Sequence, residues 1–249
     1  LREASVASIN LSYDIKSKVL SRMYRSGYSS ADWVVAQSHF MKEDLQKHFS
    51  FDGDRICVIN NPIDIETAQR KSVESVPFTP AQKTLVFVGR LSAVKQIEHI
   101  LTALTLDPLT DVALHVIGDG DQRATLEARA AELQLTDRVV FHGAQSNPYA
   151  YIKQADAMVL TSVYEGFPNV LVEAIAVGTP ICTYNSPGGA REIVCDANGF
   201  LVEPCTPEAL ANAVHTLLQN PPEAEAVQHT ATRFRKETIV AQYTALFST

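Results

Sequence analysis

Apolar residues in this chain come in short, nearly unbroken runs, and between the runs apolar positions recur at helical spacing. The runs stand at Trp33–Ala36, Ile56–Ile59, Thr84–Val88, Ala113–Ile117, Val139–His142, Ala157–Leu160, Ile181–Tyr184 and Phe200–Val202. Each is too short for a helix and predicts a strand buried on both faces. A helix is predicted from Ser38, which can cap it, toward Phe49. Others follow at Lys95–Thr105, Ala124–Leu133, Tyr149–Gln154, Asn169–Val177, Ala190–Val194 and Pro207–Gln219. Glu66–Gln82 is polar, holds Pro77 and Pro80, shows no period and predicts a linker. Pro221-Pro222 then precedes a last helical stretch, Glu223–Phe247.

Strand and helix alternating in this way predict an α/β fold, a doubly wound, Rossmann-like parallel sheet with helices on both faces. Ligands of such sheets bind beyond the carboxyl ends of the strands, so chemistry is sought just after each run. The chain divides into a first part over residues 1–75, a complete sheet domain over 83–222 and a terminal helix over 223–249.

Composition narrows the class. With 249 residues, 46% hydrophobic and 20% charged, the chain can build its own core without disulfide or metal. The formal charge of −7 argues against nucleic acid as a partner. It is uneven: residues 1–71 carry +1 and residues 72–249 carry −8. Cys57, Cys182, Cys195 and Cys205 have no C-x-x-C or zinc spacing and suit buried, reduced thiols of a cytoplasmic protein. There is no apolar run long enough to span a bilayer and no secretory signal. The start at Leu1, without methionine, predicts further sequence upstream.

Four strand ends carry candidate chemistry. Gly89-Arg90-Leu91 with Lys95 sets two cations at a strand-to-helix junction, where a diphosphate would be held. Thr161 to Asn169 leads into a helix through Glu165-Gly166-Phe167-Pro168, with Glu173 in its early turns and both carboxylates facing one cleft. Pro168 suits the first turn because it has no N–H to lose. Tyr184 to Glu192 contains Gly188-Gly189, which permit close backbone approach. Phe141-His142-Gly143-Ala144 could lay a flat base against the backbone at Gly143, and His142 itself reads as structural. Asp119-Gly120-Asp121 and Asp52-Gly53-Asp54 match a metal-binding D-x-D pattern, but both read as aspartate turns.

These residues resemble a known family. Glu165 and Glu173 form an E-x7-E pattern within Tyr164–Ala174. With Gly89-Arg90-Leu91…Lys95, Val116–Gly120 and Gly188–Glu192 in the same order, the chain is similar to family 4 retaining glycosyltransferases of GT-B fold from Trp33 onward. The resemblance implies a hexosyltransferase that takes a nucleoside-diphosphate sugar, a UDP-hexose by preference with a GDP-hexose as the alternative, and a glycan or lipid-linked acceptor. It implies no metal and no cofactor. Arg90 and Lys95 would bind the diphosphate, Glu165 the sugar hydroxyls and Glu173 the ribose. Gly89, Gly166, Phe167, Pro168, Asn169 and Val170 would approach sugar and phosphate through the backbone, and Gly143 and Ala144 would flank the base. Residues 1–75 would be the end of an acceptor-side domain, with its acceptor-side catalytic residue upstream of Leu1 and Arg2 and Glu3 following one of its strands. Residues 223–249 would cross back to that domain.

Two other functions fit the same scaffold: a non-catalytic nucleotide-sugar-binding or partner subunit, and a sugar-nucleotide epimerase, which would lack E-x7-E. Asp14–Arg25 adds a further expectation. At helical spacing Lys18, Arg22 and Arg25 share a face, which suits either a solvated helix or contact with anionic lipid at the inner face of a membrane.

Overall fold

The computed structural model describes residues 1–2, 6–12, 30–49, 51–78 and 83–248. Glu3, Lys18, Arg22 and Arg25 lie outside these residues. Among the described residues no helix is long and apolar enough to cross a membrane.

Residues 83–202 build a six-stranded sheet. In chain order its strands are β3 (Lys83–Val88), β4 (Val112–Ile117), β5 (Val139–Gly143), β6 (Ala157–Leu160), β7 (Ile181–Tyr184) and β8 (Gly199–Val202). They lie in the order β5-β4-β3-β6-β7-β8, and every pairing is parallel. Leu85 pairs with Leu114 on one side and Ala157 on the other. Every residue of β4, β6 and β7 is buried, as parallel strands covered on both faces require. The strand order reverses between β3 and β6, and a crevice opens at such a point beyond the carboxyl ends.

A smaller unit precedes it. Strands β1 (Val34–Ala36) and β2 (Ile56–Val58) pair in parallel, and Arg2 bridges to Val35 on β1. After helix α1 (Ala7–Ser12), helix α2 (His39–Phe49) covers them with Met41, Leu45 and Phe49. Ser38 caps α2 as expected, accepting from the Met41 N–H at 3.2 Å.

Three expectations are corrected. Cys195 and Cys205, expected to be buried, are exposed because they lie in the connections on either side of β8 rather than in a packed element. The segment read as an aperiodic linker begins with a helix, α3 (Ile65–Ser72), capped by Asp64, which accepts from the Thr67 N–H at 2.9 Å. Its apolar stripe is only Ile65 and Ala68, too narrow to register as a period, yet both are buried. They pack between α6 (Pro148–Gln154) and α7 (Asn169–Val177). The terminal stretch is likewise not one helix. After α8 (Ala190–Ile193) and α9 (Pro207–Gln219) come α10 (Ala224–Thr230), a 3-10 turn at Ala231–Phe234 and α11 (Lys236–Phe247). Helix α10 packs on α7, so the crossing to the small unit begins at Arg235 rather than Glu223. There Ile63 donates to the Phe234 carbonyl at 2.8 Å and Lys236 donates to the Ile63 carbonyl at 3.1 Å. Helix α11 then buries Ile239 against Val35 and Ile59.

The loops after the strands approach one another closely. Gly188 has φ +132°, and a Cβ there would stand 1.7 Å from the Glu165 carbonyl oxygen. Gly188→Ala is therefore expected to destabilise the chain by about 2–4 kcal/mol, from a disfavoured backbone angle plus overpacking. Thermal or denaturant unfolding measures this, and an unchanged midpoint would remove the claim.

On β4 and β5, His115 Nδ1 and His142 Nε2 bond at 2.7 Å, with Phe78 stacked on His115 and Tyr151 tilted against His142. Two rings bonded nitrogen to nitrogen share one proton, and burial pushes His142 below its ordinary 6.5. The folded chain thus disfavours the imidazolium, and the unfolded chain binds more protons as pH falls through 6.5. The melting temperature should drop between about pH 7.5 and 5.5, and His142→Gln should flatten that slope. Parallel slopes would contradict the shift.

Candidate functional site

The site is built from the loops that leave β3 and β6, the strands on either side of the reversal. After β3 the chain turns at Gly89-Arg90-Leu91. Leu91 is fully buried and donates to the Asp119 carbonyl at 3.0 Å, while Arg90 is exposed. Lys95, expected at the start of a helix, belongs instead to a 3-10 turn at Ala93–Lys95. Helix α4 (Ile97–Ala103), which α5 (Arg123–Glu132) succeeds along the chain, follows only after Gln96, which is left-handed at φ 44°. The Thr161 hydroxyl after β6 holds this bend, bonding the carbonyls of Lys95 at 2.9 Å and Gln96 at 3.0 Å. The Val163 N–H donates to the Val94 carbonyl at 2.8 Å.

These backbone stitches bring two predicted residues together. Lys95 Nζ lies 2.5 Å from Glu165 Oε1, which also accepts the Ser162 hydroxyl at 2.7 Å. The side chains keep 20% and 16% of their exposure, so the pair sits at the mouth of the crevice rather than in the core. Glu165 is held from behind: its N–H donates to the Pro187 carbonyl at 3.0 Å. The next peptide carbonyl, Gly166, accepts from the Gly189 N–H at 3.1 Å and the Ser38 hydroxyl at 3.1 Å.

Phe167 and Pro168 are buried, and the Phe167 ring meets Phe234 edge-on at 5.7 Å. What they offer the crevice is backbone. Asn169 opens α7 and is exposed, with its Oδ1 accepting from Asn61 Nδ2 at 2.7 Å. Val170 packs its side chain against the core. Glu173 lies one turn further on, in a cavity of about 140 Å³ lined by Asn61, Asp64, Tyr149 and Asn169 among others. Burial raises the Glu173 carboxyl above its ordinary range, and burial followed by Glu173 and Asp64 raises the Tyr149 hydroxyl. Glu165 thus stands at the mouth of the crevice, paired with Lys95, while Glu173 lines this cavity.

Gly143 and Ala144 close β5, three strand positions from β6. At roughly 4.8 Å per strand this is about 14 Å across the carboxyl edge, which suits an extended ligand. Gly143 accepts from the Gly118 N–H at 2.8 Å, and Ala144 is exposed. The D-x-D sequences are turns: Asp119 accepts from the Gly120 N–H at 2.7 Å and Asp52 from the Asp54 N–H at 3.1 Å. Asp119 also pairs with Arg123.

Several residues at the site carried no functional expectation. Ser38, Asn60 and Asn61 come from the small unit and reach the crevice only through folding. Glu192, by contrast, was placed near the crevice by the Gly188–Glu192 motif; it receives the His39 N–H at 2.6 Å and Asn60 Nδ2 at 3.5 Å, so it caps α2 across the two units. The Asn60-Asn61-Pro62 turn after β2 was the one visible signal.

Comparison with known proteins gives this site a context. The chain is 31% identical over 195 residues to N-acetylgalactosamine-N,N'-diacetylbacillosaminyl-diphospho-undecaprenol 4-alpha-N-acetylgalactosaminyltransferase of Campylobacter jejuni, covering 78% of this chain and 52% of that protein. It is 33% identical over 181 residues to lipopolysaccharide 1,6-galactosyltransferase of Escherichia coli, covering 70% and 49%. This chain thus spans about half the length of these relatives. Among solved structures, Anabaena Alr3699/HepE in complex with UDP and glucose matches at TM-score 0.81 and 25% identity, over 93% of this chain and 67% of that one. The apo form of the lipopolysaccharide outer core galactosyltransferase WaaB matches at TM-score 0.77 and 25% identity, over 96% and 66%. The architecture is that of GT-B glycosyltransferases, with a Rossmann-like parallel sheet. The model of Glycosyltransferase Family 4 matches residues 6–67, and that of glycosyl transferases group 1 matches residues 68–234. Because that second span holds the whole six-stranded sheet with Lys95, Glu165 and Glu173, the chain belongs to the group 1 glycosyl transferases.

Proposed function

We propose that this chain is the donor-binding part of a retaining, metal-independent glycosyltransferase of family 4 type, moving a hexose from UDP-hexose to a lipid-linked or glycan acceptor. The observation that carries the reading is the Lys95–Glu165 pair at the reversal of strand order. A cation and a carboxylate fixed there match the two needs of sugar transfer. Charge develops on the departing diphosphate, and the sugar hydroxyls require acceptors that hold them in one orientation.

In this reading Arg90 and Lys95 face the diphosphate. Fixed cations where charge develops lower the barrier without reorganising as the bond breaks. Glu165 accepts from sugar hydroxyls, braced by Ser162, and Glu173 accepts from the ribose in its own cavity. The backbone from Gly166 to Val170 supports sugar and phosphate at the start of α7. Gly89 lets the loop approach, and Gly143 and Ala144 flank the base about 14 Å away along the strand ends. The leaving group and the incoming acceptor share one face of the sugar, so configuration is retained. UDP is favoured over GDP by the likeness to a structure holding UDP and glucose. The acceptor class is suggested by relatives named for diphospho-undecaprenol and lipopolysaccharide acceptors.

Calorimetric titration without metal tests this. UDP should bind more tightly than GDP or ADP, with an affinity that chelator leaves unchanged. Glu173→Ala should weaken both uridine and UDP by roughly tenfold or more. Lys95→Ala should weaken UDP while sparing uridine, since its partner is the diphosphate. Binding that requires a divalent ion, or equal binding of uridine and UDP to wild type, would defeat the reading.

A further inference from the structure

The small unit does more at the crevice than pack beside it. Asn61 is 9% exposed, and its carboxamide is engaged at both ends. Arg2 donates to its Oδ1, and its Nδ2 donates to Gln37 Oε1 at 3.2 Å and to Asn169 Oδ1 at 2.7 Å. A guanidinium has five N–H donors and no acceptor, so it can meet only the oxygen of an amide. Arg2 therefore decides which way Asn61 points. With Asn61 fixed as a donor, Asn169 must answer with its oxygen.

That leaves the other end of the Asn169 carboxamide. Its Nδ2 points away from Asn61, on an exposed residue at the first turn of α7 that also lines the cavity of Glu173. Among the described residues no acceptor for that amino group is seen. Left to itself, an exposed asparagine can flip and present either oxygen or amino group.

We infer that Asn61 is a positioning residue, locked by Arg2, that holds Asn169 so that only N–H donors face the crevice. The matching ligand group is an oxygen acceptor: a diphosphate oxygen or a hydroxyl oxygen of the nucleotide sugar. The inference rests on the donor-binding reading above and adds a selection rule to it, imposed by one unit on a residue of the other.

A double-mutant cycle with UDP as the titrant tests it, each variant first checked by thermal melting. Asn169→Ala should weaken UDP by roughly tenfold, the worth of a hydrogen bond to a charged group. Asn61→Ala should lose about as much, and the double variant should lose no more than either single one. Asn61→Asp keeps the bond to Arg2 but cannot donate to Asn169, and should behave like Asn61→Ala. Arg2→Leu, at an exposed position, threatens no core and should cost a smaller, measurable part of the same affinity. Wild-type binding with Asn61→Ala and Arg2→Leu both unchanged, or with fully additive losses, would overturn the inference alone. No UDP binding by wild type would overturn the functional reading and the inference with it.

Discussion

The arrangement of the crevice depends on where the peptides of Glu165 and Gly166 are held. Gly188 lies against the Glu165 carbonyl at a distance no side chain would permit, and Pro187 accepts the Glu165 N–H. Gly189 and Ser38 both donate to the Gly166 carbonyl. The loop after β6 is thus fixed by the loop after β7 on one side and by the small unit on the other. With the backbone immobile, the Glu165 side chain has little freedom, and Ser162 and Lys95 settle its orientation. Few polar contacts suffice because each uses a backbone group that would otherwise need water.

The same economy governs the electrostatics. A lone carboxylate or ammonium drawn partly out of water would be disfavoured, and each side chain of the Lys95–Glu165 pair relieves the other. Glu173 has no ion-pair partner among the described residues, and burial raises its carboxyl. The two glutamates of the motif are therefore different chemical objects. One is anchored by a cation at an open mouth, and the other is half-buried in a small polar cavity. What distinguishes them is environment more than spacing.

Much of this was legible in the chain. The eight strand positions agree with the apolar runs to within a residue or so, since strands covered on both faces leave a contiguous signal. Ser38 could be read as a cap because capping is local. The motif residues after β3 and β6 could be assigned to one crevice because sheet topology brings consecutive strand ends to one edge. Helix α3 was not legible, since two buried residues make too thin a stripe. Nor was the break before α11, which is made by backbone bonds to Ile63, far away in sequence. Glu192 carried a further lesson: its place beside Gly188-Gly189 suggested the crevice, yet its carboxylate closes the start of α2.

The contacts between units also show how the small unit is joined to the crevice. The chain passes between units at residues 61–65 and again at 234–236, and the two passages are hydrogen-bonded to each other. Asp64 pairs with Lys236 across them, lowering the Asp64 pKa through that bond, while both side chains remain open to solvent. Exposed pairs of this kind contribute little to stability, so it is the paired backbone that holds the crossing. Asn61 stands at one end of that crossing and bonds Asn169. Asp64 begins α3 at the other and lines the cavity of Glu173. A shift of one unit against the other must pass through these residues, and so cannot leave the cavity unchanged.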